Sequence, residues 1–347
     1  MAIIQPENMN FTGKKFSMII SGSPGTGKTT LALSAPNPIL IDFDDGISRV
    51  RPQHRTPTII AQTYEEVLKD LESPVIEDFE TIVVDTGGSL ITYMSGWAIR
   101  KDKKNGQSNG SLSQRGYGAV KKEFQRFTEM LKHGLRKNII YVFHTVEEKD
   151  NDVVKHRLLC EGSSRNIVWQ PCDIGCFVYM VNNDRVAGFS PTENYFAKGT
   201  YGIGGVHPIP TLASEDNNDM LTRMFGQMKT TIAEENRAFI EMKKTYQWAI
   251  ETGKALVNNL QTTEDANNFA AELKKIQHSM SSEKEIAAFG RRKILSELGF
   301  IYNKATKLFE EAPIEIEEEE EDIGEGNEDI EKDINEDINE DIKEGAY

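Results

Sequence analysis

The chain has 347 residues, 27% of them charged, with 55 Asp and Glu against 40 Lys and Arg and a formal net charge of −15. The imbalance belongs to one end: residues 310–347 hold 19 acidic and 2 basic residues (net −17), leaving 38 basic and 36 acidic residues (net +2) in 1–309. Three cysteines, no signal-peptide pattern and no apolar run near eighteen residues exclude a disulfide scaffold and a membrane-spanning helix, so a soluble cytoplasmic protein with no membrane partner is expected.

The first apolar run, residues 16–21, reads as a buried strand. It leads into Gly22-Ser23-Pro24-Gly25-Thr26-Gly27-Lys28-Thr29, a full match to the P-loop pattern G-x-x-x-x-G-K-[ST], and Thr30 begins a helix. Glycines let successive N–H groups curl toward phosphate oxygens, and the helix dipole adds positive potential. Lys28 suits the β- and γ-phosphates, and the Thr29 hydroxyl suits Mg²⁺. The pattern and its flanks predict binding of a nucleoside triphosphate with Mg²⁺.

Residues 38–42 form the next predicted strand, ending in Asp42-Phe43-Asp44-Asp45. Short strand 58–61 and helix 64–73 follow, then strand 81–85, whose terminal Asp85 suits the Walker B role of holding the metal. Hydrolysis also needs a group that orients or deprotonates water. Thr86 occupies the place directly after the Walker B Asp, so the acid is sought at 42–45. Asp44 is favoured there, with Asp42 and Asp45 as alternates and solvated loop carboxylates as the ordinary reading. Residues 101–114, rich in Lys, Asn, Gly and Ser, read as a mobile loop, and 117–136 as an amphipathic helix. A strand over 138–143 is capped by His144, placed to sense a terminal phosphate. Strands alternating with helices, several nearly all apolar, predict a parallel sheet covered on both faces.

After Val146 the pattern changes to a polar stretch, 147–165, then strands at 174–181, 185–190 and 194–198 as an antiparallel extension. Lys198 ends the last of these and suits either the surface or a neighbouring subunit's phosphates. His156, Cys160, Cys172 and Cys176 have a spacing that zinc tolerates, but Cys176 sits in an apolar strand, and burial is the favoured reading. Residues 199–210 read as a connecting loop and 216–308 as helical, with an N-cap signal at Thr263. The expected domains are therefore 1–212, 213–309 and an acidic, disordered tail over 310–347 built on an Asp-Ile repeat.

Residues 22–30, 39–45, 81–85 and Val142-Phe143-His144-Thr145 resemble those of the phage-encoded RecA/RadB-like P-loop ATPases that act as single-strand annealing proteins. The resemblance covers about residues 14–205 and implies an α/β fold with a RecA-like P-loop NTPase core. It also implies ATP binding with slow hydrolysis, a homo-oligomer on single-stranded DNA in phage recombination, and contact with a single-strand-binding or other replication protein. Two loops match the DNA-holding loops of RecA-type proteins. The first carries Lys101, Lys103, Lys104 and Arg115 with Tyr117, and the second carries Lys155 and Arg157. Cations for phosphates and a ring for stacking suit single strands, although ordinary surface loops have similar compositions. A helicase or packaging motor on the same core, or a P-loop kinase, are the competing classes.

Overall fold

The computed structural model describes residues 3–150, 153–160, 164–213 and 216–313. Cα packing divides the chain into two compact units, Met1–Glu241 and Met242–Tyr347.

In the first unit, β1 (Ser17–Gly22), β2 (Pro38–Asp42), β3 (Thr58–Ile60), β4 (Thr81–Asp85) and β5 (Asn138–Asp150) are mutually parallel in the order β3-β2-β4-β5-β1. Beyond β1, the parallel β7 (Ile174–Val181) is followed by antiparallel β8 (Asp184–Gly188) and β9 (Val206–Pro208). The short β6 (Val153–Leu158) pairs antiparallel with the far end of β5. This is the expected α/β core with a mostly parallel sheet.

Alternation along the buried strands feeds two apolar layers. Ile19, Ile41, Val84 and Tyr141 pack against the helices α2 (Tyr64–Asp70), α3 (Gly87–Lys101) and α4 (Gln114–Glu129) through Tyr64, Leu90, Met94, Phe124 and Phe127. Met18, Ile20, Leu40, Val83 and Cys176 pack on the other face against α1 (Lys28–Ala32) and Leu221, Met224, Phe225 and Met228. Those last four residues open the long α6 (Met220–Asn258), which follows the short α5 (Ser164–Trp169). Their burial corrects the expected boundary at 212/213: the start of α6 belongs to the core of the first unit, which runs to Glu241.

Three other expectations change. The strand predicted to stop at His144 continues to Asp150 and turns back as β6, so 147–165 begins as a hairpin rather than a loop. Residues 101–114 close on themselves: buried Asn105 donates its amide to Ala98 O (2.8 Å), and Ser113 N bonds Asn105 O (2.8 Å). No named strand covers 194–198, which joins the sheet only through isolated bridges such as Gly175 to Lys198.

The second unit contains α7 (Thr263–Leu273), α8 (Ser282–Arg292) and the hairpin of β10 (Ile301–Asn303) and β11 (Leu308–Glu310). Ala249, Val257, Phe269, Ile286 and Ile294 form its core. The N-cap of α7 is Thr262, one residue earlier than expected, in a capping box with Asp265. Glu310 belongs to β11; the remainder of the expected acidic tail, from 314 on, lies outside the described residues.

Candidate active site

Sheet register assembles the site. Gly22 lies opposite His144, and Asp42 opposite Asp85, so the C-terminal ends of β1, β2 and β4 stand beside the middle of β5. The P-loop leaves β1 here. Gly25 and Gly27 take φ of 78° and 84°, the left-handed region that a side chain disfavours. Gly22 is held by space: a Cβ there would run into Val178 O. The Thr26 hydroxyl and the Lys28 ammonium both donate to Ser23 O, at 2.9 and 2.8 Å, and brace the loop from inside.

A cleft of about 570 Å³ opens over this loop. Gly25, Gly27, Lys28, Thr29 and Thr30 line it, with Asp44, Asp85, Thr86 and His144 beside them. Gly22, Ser23, Pro24 and Thr26 shape the turn beneath instead. Lys28, Thr29 and Thr30 open α1, where backbone N–H groups have no partner within the helix.

Thr29 donates its hydroxyl to Asp85 Oδ2 at 2.5 Å, joining the two expected metal-holding oxygens. Burial pushes the Asp85 carboxyl up; the Thr29 hydrogen bond opposes this, while the charges of Asp42 and Asp44 push the same way. Lys28 is lowered from its ordinary 10.5 to about 8 by burial, only partly offset by Asp85. A hard divalent cation fits this donor set, since oxygen ligands and an excess of buried negative charge are what Mg²⁺ requires.

The three strand-end acids separate clearly. Asp42 is buried, and its carboxylate accepts from Asp44 N (3.1 Å), Gly46 N (2.9 Å) and Ile47 N (2.8 Å). It holds the loop together and has little capacity left for water. Asp45 is exposed, at φ 52°, and does not line the cleft. Asp44 lines it and accepts from the Thr86 hydroxyl at 3.1 Å. His144 is held below the ordinary histidine range by burial first and then by the Lys28 charge, and its Nδ1 is buried with no hydrogen-bond partner among the described residues.

The remaining candidates lie elsewhere. Lys198 donates to Cys172 O at 2.7 Å, just before the N-terminal end of β7, so the ammonium, read as either a surface group or one for a neighbouring subunit's phosphates, is engaged within its own chain. Lys101 sits 4.5 Å over the Trp97 ring, and Arg115 pairs with Asp102 at 2.8 Å; Lys103 and Lys104 are exposed. On the hairpin, Lys155 stands opposite Glu148, and Arg157 approaches Glu148 at 3.9 Å. Cys172 and Cys176 are buried, with the Cys172 thiol pushed up to about 12 by burial.

Sequence reading missed two groups. Thr86 positions Asp44, and Arg185 on β8 lines the cleft. Thr86 was marked only by its place directly after Asp85, and Arg185 carries no local signal, because it reaches the site through pairing of distant strands.

Residues 14–201 match the family model described as AAA domain. The chain belongs to this AAA-domain family. The match spans the P-loop, Asp44, Asp85, Thr86, His144 and Arg185, which makes the protein an AAA-type P-loop nucleotide-binding protein. No curated protein matches the sequence. Among solved structures, a KaiC-like protein from the hyperthermophilic archaeon Pyrococcus horikoshii is 11% identical with a TM-score of 0.32, over 56% of this chain and 89% of that one. The flagellar accessory protein FlaH of Methanocaldococcus jannaschii is 12% identical with a TM-score of 0.30, over 56% and 90%. Among the described residues no helix is long and apolar enough to cross a membrane.

Proposed function

We propose that the protein binds and slowly hydrolyses ATP, and that the nucleotide controls its assembly on single-stranded DNA in phage recombination or annealing. The observation that carries the nucleotide half is convergence on one cleft: Lys28, Thr29 and Asp85 below, Asp44 and His144 beside them. Lys28 holds the phosphates. Thr29 and Asp85 would hold Mg²⁺, which when bound neutralises phosphate charge. Asp44, fixed by Thr86, orients a water and accepts its proton. His144 offers a neutral imidazole to the terminal phosphate and links it to the β5–β6 hairpin that follows directly.

The DNA half rests on the resemblance of the sequence, on the exposed Lys103 and Lys104 of the segment between α3 and α4, and on the exposed Tyr117 in the first turn of α4. Lys101, Arg115, Lys155 and Arg157 contribute to the same role from positions already close to a ring or a carboxylate, so each must exchange that contact for a phosphate. Such a protein works as a homo-oligomer in the host cytoplasm, alongside a single-strand-binding or other replication protein.

Titration of a fluorescent single strand with purified protein, with and without ATP and Mg²⁺, tests both halves. Tight binding only with ATP and Mg²⁺, lost in Lys28→Ala, is the expected result. Binding that ignores the nucleotide would remove the control by ATP. Strand displacement coupled to rapid turnover would favour a motor.

A further inference from the structure

Arg185 reaches the P-loop from a distant part of the chain. A Cβ placed on Gly27 would lie 3.3 Å from Arg185 Nε and 3.4 Å from its Cδ, so the arginine stem lies directly over the glycine that precedes Lys28. Its backbone is fixed on both sides: Arg185 pairs with Met180 across the β7–β8 hairpin, and its carbonyl accepts from Ile209 N at 2.8 Å. Two other arginines on the cleft are engaged, while Arg49 lines it from the loop after β2. Arg223 pairs with Asp219 at 3.1 Å, and Arg51 donates to Leu212 O at 3.2 Å. Among the described residues no carboxylate pairs with Arg185.

We infer that Arg185 is an intrachain catalytic cation that contacts the phosphates of the bound nucleotide. The inference rests on the ATP-hydrolysis reading above. In hydrolysis the water oxygen bonds to the γ-phosphorus while the bond from that phosphorus to the β,γ-bridging oxygen breaks. The electron pair stays on ADP, and the water proton passes to Asp44. Negative charge therefore grows beside the P-loop, where a guanidinium that cannot lose its proton complements Lys28.

The test compares Arg185→Ala, Arg185→Lys and Lys28→Ala as full-length chains, each shown by thermal melting to be folded. Turnover with Mg²⁺ and ATP should fall about 10³-fold in Arg185→Ala, in the range known for arginines that complete such sites, and recover in part in Arg185→Lys. The ratio of ATP to ADP affinity, read with fluorescent nucleotides, should fall in the same variant even where turnover is slow. Mixing Arg185→Ala with Lys28→Ala should restore nothing, because each subunit needs its own arginine. Recovery on mixing would overturn the intrachain assignment. Unchanged turnover and an unchanged affinity ratio in Arg185→Ala, alongside lost ATP affinity in Lys28→Ala, would overturn the inference and leave the nucleotide reading standing. Unchanged ATP affinity in Lys28→Ala would instead sink both.

Discussion

The Thr86 hydroxyl lies 3.1 Å from Asp44 Oδ2 and accepts from Ser89 N at 3.2 Å, so one side chain both starts α3 and holds the proposed proton acceptor. The position directly after the Walker B aspartate thus supplies the acid's anchor rather than the acid. Asp44 is carried on β2's trailing loop and fixed from β4's.

Thr86→Val should leave ATP affinity intact and slow turnover between about 10- and 100-fold, the scale on which misplaced groups act. It also removes the N-cap of α3, at a cost of about 1 kcal/mol. Thr86→Ser keeps the hydroxyl and should restore both turnover and melting temperature. Equal turnover in Thr86→Val and the parent would show that Asp44 needs no anchor.

Asp44→Asn should bind ATP normally and lose about 10²- to 10⁴-fold in turnover, because it keeps the shape and removes the proton-accepting charge. Asp42→Asn should behave differently. It sets an amide against backbone N–H donors that now meet a carboxylate, costing about 1–3 kcal/mol in stability. Parallel melting curves and single-turnover assays separate the two roles. A stable, inactive Asp42→Asn would reverse the assignment.

Lys28 gives the site a pH dependence. Its folded-state value of about 8 lies below the ordinary 10.5, so the unfolded chain binds more protons between those values and stability rises with pH across that window. Nucleotide affinity runs the other way. Phosphates favour charged Lys28, so ATP affinity should be full below pH 8 and weaken above it by up to about 10-fold per unit. Lys28→Arg keeps the charge and should flatten that dependence. A parent profile that is flat between pH 7 and 9.5 would contradict a lysine lowered by burial.

Replacing Lys101, Lys103 and Lys104 together by alanine should weaken single-strand binding and flatten its salt dependence. Truncation after Pro313 should do the opposite. It removes 17 acidic and 2 basic residues, a net of −15, yet keeps β11 and the Asn267 amide contact to Phe309 O (3.1 Å). The gain in affinity should shrink as salt rises, since exposed charges are screened over about 8 Å at physiological ionic strength. Identical DNA titrations for the parent and both variants would leave the DNA proposal without its electrostatic basis.

Much of this site was legible because its parts are contiguous. The P-loop needs eight consecutive residues, and the strand ending in Asp85 advertises itself as an apolar run closed by an acid. The segment at 101–114 misled for the reverse reason. Its Lys, Asn, Gly and Ser describe a solvated loop, while the buried amide of Asn105, bonded back to Ala98 O, holds it as a folded turn. Likewise the stretch after Val146 looked like a loop because its strand pairing sets polar residues against one another, Glu147 opposite His156 and Glu148 opposite Lys155.

The sequence by itself determined the nucleotide loop, the alternation of strand and helix, the apolar strand that ends in Asp85 and the concentration of acid beyond residue 310, since each is written in neighbouring residues. Only the tertiary structure decided which of Asp42, Asp44 and Asp45 faces the cleft, what Thr86 holds, and that Arg185 rather than Lys198 stands over the P-loop. Those answers depend on strand register, which sets Gly22 opposite His144 and Asp42 opposite Asp85 across more than forty residues of chain. Local propensity fixes what a segment becomes, but burial across the whole sheet fixes which segments meet.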